Sequence, residues 1–153
     1  MYSTISDLYF YKLPKSSLDT IEENSSTDTI EEKKEVDSIV KTYNPKIWGP
    51  LFWKTLHISS VYYPINASRI VKERMKGRIL SLPYELPCEE CRSHCLSFIE
   101  TKYKELDDIV SGREKLVQFY LDFHNAVNKR HGKPIWSIDK VYQVYLEGKG
   151  FES

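Results

Sequence analysis

Cysteine is missing from this sequence of 153 residues except in one short window. All three cysteines, Cys88, Cys91 and Cys95, fall within eight residues, so no disulfide can join distant segments of the chain. This argues against a secreted fold that is held together by disulfides. A chain of this length buries enough apolar surface to fold as one domain without such cross-links.

Long apolar segments are also missing. No stretch approaches the ~18 uninterrupted apolar residues of a membrane span. The N-terminal residues lack both the apolar core of a signal peptide and the arginine-rich, acid-free character of a transit peptide. We therefore expect a soluble protein with no membrane span and no classical import signal.

The chain has no net charge, but its charges are unevenly spread. Residues 1–43 hold nine acidic and five basic side chains, and the thirteen acidic and seventeen basic ones that follow leave an excess of four positive charges. This excess suits an anionic ligand such as a phosphate-bearing cofactor. It is too small to indicate nucleic-acid binding.

Residues 1–43 are expected to form a disordered acidic tail. Residues 16–38 are polar and charge-rich, and the sequence DTIEE occurs twice, at 19–23 and 28–32. Such a composition cannot bury enough apolar surface to offset the entropy of ordering. The tail is either a dispensable linker or a partner-binding segment. The predicted domain covers residues 44–146, and residues 147–153 form a short C-terminal tail.

Apolar residues at helical spacing predict four main helices and a short fifth one, whereas no stretch alternates with the period of a strand. We therefore expect an all-α fold, a four-helix bundle with a short fifth helix. The predicted limits are Asn44-Pro45 to Tyr63-Pro64, Ser68 to about Leu82, Pro87 to a charged stretch at 102–108, a capping box Ser111–Glu114 to Gly132, and a start after Ser137. Residues predicted to face the core in the second helix are Ile70, Val71, Met75, Ile79 and Leu82, and in the fourth Leu116, Val117, Phe119, Tyr120, Phe123 and Val127.

The Cys88-Glu89-Glu90-Cys91 motif is the strongest chemical signal in the sequence. Pro87 is predicted at the first helical position, which puts both sulfurs in the first turn, where the helix dipole stabilises a thiolate. The spacing allows a disulfide that opens with little backbone movement. A second interpretation adds Cys95 and uses the three thiolates to hold zinc or an iron–sulfur cluster, but the nearby fourth ligand, His94, points off their stripe.

Two further groups of residues are suited to binding a ring that bears phosphates. Trp53 and His57 lie four apart on one helical face, and Gly49 allows close approach to the backbone. The fourth helix carries a histidine and two amides on its inner side, followed by cations, and these polar groups are costly in a core unless a polar ligand occupies the space. The residues of this second group are His124, Asn125, Asn128, Lys129, Arg130 and Lys133.

Four blocks in this order resemble the FAD-linked sulfhydryl oxidases of the ERV/ALR family, over about residues 44–146. The blocks are Trp48-Gly49-Pro50-x-x-Trp53-x-x-Leu56-His57, Tyr62-Tyr63-Pro64, Pro87-Cys88-x-x-Cys91-Arg92-x-His94 and His124-Asn125-x-Val127-Asn128-x-x-x-Gly132-Lys133-Pro134. The resemblance implies a helical bundle that binds FAD, with the cysteine pair against the isoalloxazine ring.

The resemblance also implies a role for individual residues. Cys91 is similar to the thiol next to the flavin and Cys88 to the outward thiol that exchanges with substrate, while Arg92 and His94 accompany the motif in viral members. The implied cofactor-binding residues are Gly49, Trp53, His57, Tyr62, Cys91, His124, Asn125, Val127, Asn128, Lys129 and Lys133.

The chain departs from many cellular members of the family because it has no second cysteine pair and no shuttle pair. Cys95 is expected to be a small buried residue, and the alternative is a resolving or intermolecular thiol, although a disulfide to Cys91 one turn away would be strained. The reduced layout resembles the short enzymes of large cytoplasmic DNA viruses, which implies host cytoplasm or virion as the location. The implied partners are a dithiol protein or an external redox shuttle, dioxygen as electron acceptor, and a second copy of the chain in a homodimer.

Two alternatives to the thiol oxidase remain at this point. One is a non-enzymatic helical adaptor held by a metal at Cys88, Cys91 and Cys95. The other is a degenerate flavin-binding fold that serves as an interaction module, with the acidic tail recruiting partners. The first alternative predicts a bound metal and no flavin, and the second predicts bound flavin without oxidase turnover.

Overall fold

The computed structural model of this protein describes residues 44–149, and these residues contain α-helices, one 3₁₀ turn and no strand. The predicted tail at residues 1–43 lies outside the described residues. The helices are α1 (Pro45–Val61), α2 (Arg69–Glu85), α3 (Glu89–Lys102), α4 (Leu106–Ile109), α5 (Arg113–Arg130) and α6 (Ile138–Tyr145), with a 3₁₀ turn at Tyr103–Glu105. The predicted all-α bundle of four long helices and a short later one is confirmed.

Three of the predicted helix starts are confirmed by their caps. The side chain of Asn44 accepts a hydrogen bond from Lys46 N at 3.0 Å, and Pro45 follows at the first helical position. Ser68 caps α2 and Ser137 caps α6 in the same way. Each cap satisfies a backbone N–H that has no partner within its own helix.

Two predicted starts are wrong by one or two residues. Helix α3 begins after Pro87, because Cys88 itself takes the extended N-cap conformation and its sulfur accepts the capping hydrogen bond. Helix α5 has Gly112 as its N-cap and no side-chain cap, so Ser111 does not form the predicted capping box. A side chain at position 112 would collide with the carbonyl oxygen of Ile65, which explains why glycine lies there.

Helix α2 continues past the predicted end at Leu82 and includes Pro83. A proline within a helix removes one backbone hydrogen bond, but this one lies near the end of α2 and is buried. The link to α3 is therefore reduced to Leu86, Pro87 and Cys88, which fixes the cysteine motif close to the end of α2.

The charged stretch at 102–108 is more ordered than predicted. It forms the 3₁₀ turn and then α4, where Leu106 and Ile109 are buried in the core. Asp107 in α4 pairs with Lys76 of α2 at 2.8 Å. Two apolar residues among the charges are thus enough to anchor this segment.

The main core lies between α1, α2, α3 and α5, and a smaller cluster packs α6 against α1 and α5. The prediction that Ile70 faces the core is wrong, since this side chain is 63% exposed. Ile79, nine residues later and fully buried, points about 180° away from Ile70 around the helix axis. The other predicted core residues of α2 and α5 are buried or partly buried.

No helix within residues 44–149 has the length and apolar character needed to cross a membrane.

Candidate active site

Two sulfurs lie at the start of α3. Cys88 is its N-cap, and its Sγ accepts a hydrogen bond from the backbone N–H of Cys91 at 3.2 Å. The two side chains form a disulfide whose Cα atoms are 5.1 Å apart, and both are partly exposed. Because the N-terminus of a helix favours negative charge, opening this bond leaves a thiolate in a favourable position.

The third cysteine is chemically separate from this pair. Cys95 is fully buried in the main core, and burial, assisted by the charge of Glu85, raises the pKa of its thiol to about 12. It therefore stays protonated and does not act as a nucleophile near neutral pH. The predicted burial of Cys95 is confirmed.

The metal-held alternative is not favoured by the arrangement of these side chains. Among the residues that the structure describes, no three His, Cys, Asp or Glu side chains are grouped in a way that could hold a metal ion. The two sulfurs that such a site needs are bonded to each other.

A cavity of about 490 Å³ lies against the disulfide. Aromatic side chains supply flat apolar surface, and cationic side chains contribute to the same wall. This combination suits a planar ring system that carries anionic groups. The residues that line the cavity are Asn44, Pro45, Lys46, Trp48, Phe52, Trp53, Leu86, Cys88, Glu90, Cys91, His94, Phe123, Val127, Arg130, His131 and Lys133.

A second cavity, of about 640 Å³, lies between the α1–α2 connection, the start of α5, and α6. It is lined by residues such as Ile65, Gly112 and Tyr142, and by none of the predicted site residues. The chemistry of the sulfurs therefore assigns the site to the smaller cavity.

Two buried histidines connect α1 and α5 behind this cavity. His57 Nε2 and His124 Nδ1 share a hydrogen bond of 2.9 Å, and the ring of His124 stacks on Trp53 with centroids 4.3 Å apart. Desolvation, with the other histidine's charge adding to it, lowers the pKa of His57 to about 3. Desolvation and the nearby Lys133 lower that of His124 to about 4, so both rings are neutral at neutral pH.

The aromatic rings at the site stack in a way that the sequence did not predict. Trp53 and His57 are tilted by 33° with centroids 6.4 Å apart, whereas the ring that stacks on Trp53 is that of His124. His57 instead lies nearly parallel to Tyr145, with centroids 5.0 Å apart. Residues four apart in one helix share a face, but stacking requires parallel planes, which the contact between α1 and α5 provides.

Asn125 holds the connection between α5 and α6. Its amide donates to the carbonyl of Trp136 and accepts from the N–H of Trp136, both at 2.9 Å. This pair of bonds fixes Trp136, whose indole lies nearly parallel to His57 with centroids 6.2 Å apart. Asn125 does not itself line the cavity. Its connection to the site is indirect, through Trp136 and the histidine pair.

The structure brings most of the predicted site residues together. Trp53, Cys88, Cys91, Val127 and Lys133 line the cavity. The histidine pair adjoins it through Trp53. Asn128 is buried in the last turns of α5, where its backbone carbonyl accepts from Lys133 N at 2.8 Å.

Besides His57, His124, Asn125 and Asn128, three further predicted cofactor residues do not line the cavity. Gly49 is buried within α1, and Lys129 is exposed on α5. Tyr62 follows the end of α1 and is 64% exposed.

Several lining residues were not among the predicted site residues. Phe52 and Phe123 belong to the helical apolar pattern, which predicts burial in a core and no contact with a ligand. Lys46 and His131 carried no signal, because only folding brings the start of α1 and the end of α5 to one cavity.

Two viral proteins are similar to this chain in sequence. A protein of Invertebrate iridescent virus 6 is 38% identical over 95 residues, which cover 60% of this chain and 86% of the relative. An FAD-linked sulfhydryl oxidase of African swine fever virus is 32% identical over 98 residues, which cover 64% of this chain and 79% of the viral protein.

The fold has a counterpart among solved structures. The crystal structure of the yeast Erv1 core superimposes with a TM-score of 0.59 at 23% sequence identity, covering 90% of this chain and 98% of that one. The model of the Erv1/Alr family matches residues 50–146, which include every helix from the middle of α1 to α6. The chain belongs to the Erv1/Alr family.

Proposed function

We propose that this protein is an FAD-dependent thiol oxidase that forms disulfide bonds in dithiol substrates. The observation that carries the proposal is the Cys88–Cys91 disulfide in the wall of a cavity lined by aromatic and cationic side chains. Relatives named FAD-linked sulfhydryl oxidases support it.

The described residues fit FAD as the group that occupies this cavity. Trp53 and the phenyl ring of Phe123 offer apolar surface for a flat ring, and Arg130 and Lys133 offer positive charge for a pyrophosphate. The Nδ1 atom of His57 is buried without a hydrogen-bond partner among the described residues, and such an atom is costly unless a ligand or water satisfies it.

The cofactor residues implied by the resemblance are supported to different degrees. Trp53, Cys91, Val127 and Lys133 line the cavity. His57, His124 and Asn128 adjoin these residues through hydrogen bonds or ring contacts. For Gly49, Tyr62, Asn125 and Lys129, the assignment depends on the sequence alone.

The chain supplies the thiol chemistry of the reaction. A substrate thiolate attacks Cys88 Sγ, the bond to Cys91 breaks, and Cys91 leaves as a thiolate. A second substrate thiolate then attacks the substrate sulfur of the mixed disulfide and releases Cys88, so the substrate loses two electrons and two protons. FAD, when bound, accepts the two electrons and passes them to dioxygen, which gives hydrogen peroxide.

The partners and the location of the protein extend this proposal. The substrate is a dithiol protein or an external redox shuttle protein, because the chain has no further cysteine pair of its own. The viral relatives support a viral source, and with it the host cytoplasm or the virion as the compartment.

A homodimer is the proposed assembly, and α1 offers a surface for it. Ile47 and Leu51 lie one turn apart and are 54% and 67% exposed, whereas a helix at the surface of a monomer normally turns its apolar residues inward. A second copy that packs against this face would bury both side chains.

Oxygen consumption with dithiothreitol tests the proposed activity. We expect Cys91→Ser to abolish turnover while FAD stays bound, because the variant lacks the sulfur next to the cofactor. Cys95→Ser is the matched control, and it should retain activity because Cys95 is buried apart from the pair. Turnover that survives in Cys91→Ser would refute the assigned role.

A further inference from the structure

The segment that connects α2 to α3 is short and has few backbone ties of its own. It consists of Leu86, Pro87 and Cys88, and proline has no N–H to donate. Arg92 makes both of the hydrogen bonds that hold its carbonyl groups to α3, and only the second of them depends on the arginine side chain. The backbone N–H of Arg92 donates to Cys88 O at 3.0 Å, and the side-chain Nε donates to Leu86 O at 2.5 Å.

The position of this segment decides where the sulfur of Cys88 lies. As the N-cap of α3, Cys88 places its Sγ 3.2 Å from the backbone N–H of Cys91. While the disulfide is closed, the bond to Cys91 also holds this sulfur. Once the disulfide opens, the capping hydrogen bond and the ties made by Arg92 are what keep it there.

We propose that Arg92 is a positioning residue that holds Cys88 at the N-terminus of α3 when the disulfide is open. The inference rests on the proposed function, which makes Cys88 the sulfur that exchanges with substrate. In the second step of that exchange, the substrate sulfur forms its new disulfide and the bond to Cys88 breaks, so the electron pair of that bond stays on Cys88. A thiolate held against a free backbone N–H is the better leaving group.

Other charges surround Cys88 and act on its thiolate too. Glu89, Glu90 and His94 lie on α3 itself, and Glu85 ends α2. Across the cavity are Lys46 at the start of α1, and Arg130, His131 and Lys133 at the end of α5 and in the turn that follows. These groups are the same in every variant described below. A difference in Cys88 reactivity between the Arg92 variants and the parent is therefore caused by the change at Arg92.

The contact itself separates positioning from charge. The bond to Leu86 is made by Nε, an atom that lysine lacks, although lysine keeps the positive charge. Arg92→Lys therefore removes the observed bond and retains the charge, whereas Arg92→Gln removes both. If only charge matters, Arg92→Lys behaves like the parent.

The test measures alkylation of Cys88 by iodoacetamide as a function of pH in FAD-loaded Cys91→Ser protein, where Cys88 is a free thiol. Mass spectrometry of the cysteine peptide distinguishes Cys88 from buried Cys95. We expect both Arg92 substitutions to move the pH midpoint of alkylation upward. At a pH below the midpoint, Arg92→Gln should be alkylated about tenfold more slowly than the protein with Arg92, which is the scale of one charge-assisted hydrogen bond.

Lys102→Met is the matched control, because it removes a cation from the far end of the same helix, where Lys102 pairs with Glu105. It should leave the midpoint in place. An Arg92→Lys midpoint equal to that of the parent overturns the proposal. The proposed function is refuted by a different result, namely that the parent protein with intact cysteines binds no FAD or does not oxidise dithiothreitol. Those two assays are separate from the alkylation measurement, so the two failures can be distinguished.

Discussion

At the scale of single residues, the histidine pair is the feature of the site that burial affects most clearly. His57 and His124 are buried, share one hydrogen bond, and have pKa values lowered to about 3 and about 4. Two neutral imidazole rings can form this hydrogen bond, because the N–H of one ring donates to the unprotonated nitrogen of the other. If either ring became charged, it would lose solvation without gaining a counter-ion.

This pair predicts a loss of stability in mild acid. In the unfolded chain both histidines take up protons near pH 6.5, whereas in the folded protein they stay neutral until the pH falls to between 4 and 3. The unfolded state therefore binds more protons within this window, and stability falls as the pH drops through it, by up to about 1.4 kcal/mol per pH unit for each histidine.

Urea unfolding between pH 7 and pH 4 measures this effect. We expect His57→Phe to flatten the pH dependence, since one of the two proton-binding differences is removed. His131→Gln changes an exposed histidine and should reproduce the slope of the parent. A parent protein whose stability is constant between pH 6.5 and pH 4 would show that the pair does not resist protonation.

At the scale of elements, the start of α5 depends on a residue without a side chain. Gly112 is the N-cap of α5, and its backbone lies so close to Ile65 that a Cβ atom would collide with the carbonyl oxygen. The same junction is held by Arg113, whose N–H donates to Pro64 O at 2.9 Å and whose Nε donates to Tyr63 O at 2.7 Å. The α1–α2 connection is thus fixed on the start of α5.

Two glycine substitutions with opposite expected signs test this junction. We expect Gly112→Ala to lower the free energy of unfolding by about 1 to 3 kcal/mol, because the connection must shift to admit a methyl group. Gly77→Ala lies in the exposed interior of α2, where a Cβ meets no atom within 4 Å, and it should raise stability by about 0.5 to 1 kcal/mol. Equal effects of the two changes, measured by urea unfolding, would contradict this explanation.

The elements also show what the sequence predicts and what it does not. Local signals located Asn44, Ser68 and Ser137 as caps, because a cap is a contact between residues two or three apart. The same logic failed at Ser111, where contact with the distant Ile65 decides the N-cap, and at Pro83, which lies inside α2 with its side chain buried. The cysteine pair was predicted from its spacing, whereas the stacking of His124 on Trp53 depends on how α1 packs against α5.

At the scale of the whole molecule, the exposed face of α1 predicts self-association. We expect Leu51→Lys to weaken the proposed dimer by tenfold or more in Kd, because a charge would be buried against an apolar surface. Ile135→Lys makes the same kind of change at a side chain that is 60% exposed in the α5–α6 connection, and it should leave the dimer intact. Sedimentation equilibrium measures both, and a monomeric parent protein would contradict the proposed assembly.

The proposed activity requires electron transfer from the cysteine pair to FAD, and titration with dithiothreitol under argon measures this transfer. In the parent protein, we predict that the visible absorbance of bound FAD is bleached and that air restores it. In Cys91→Ser protein with the same FAD content, the absorbance should persist. Bleaching at the same rate in both proteins would contradict the role of the cysteine pair, because the electrons would then reach the cofactor without the disulfide.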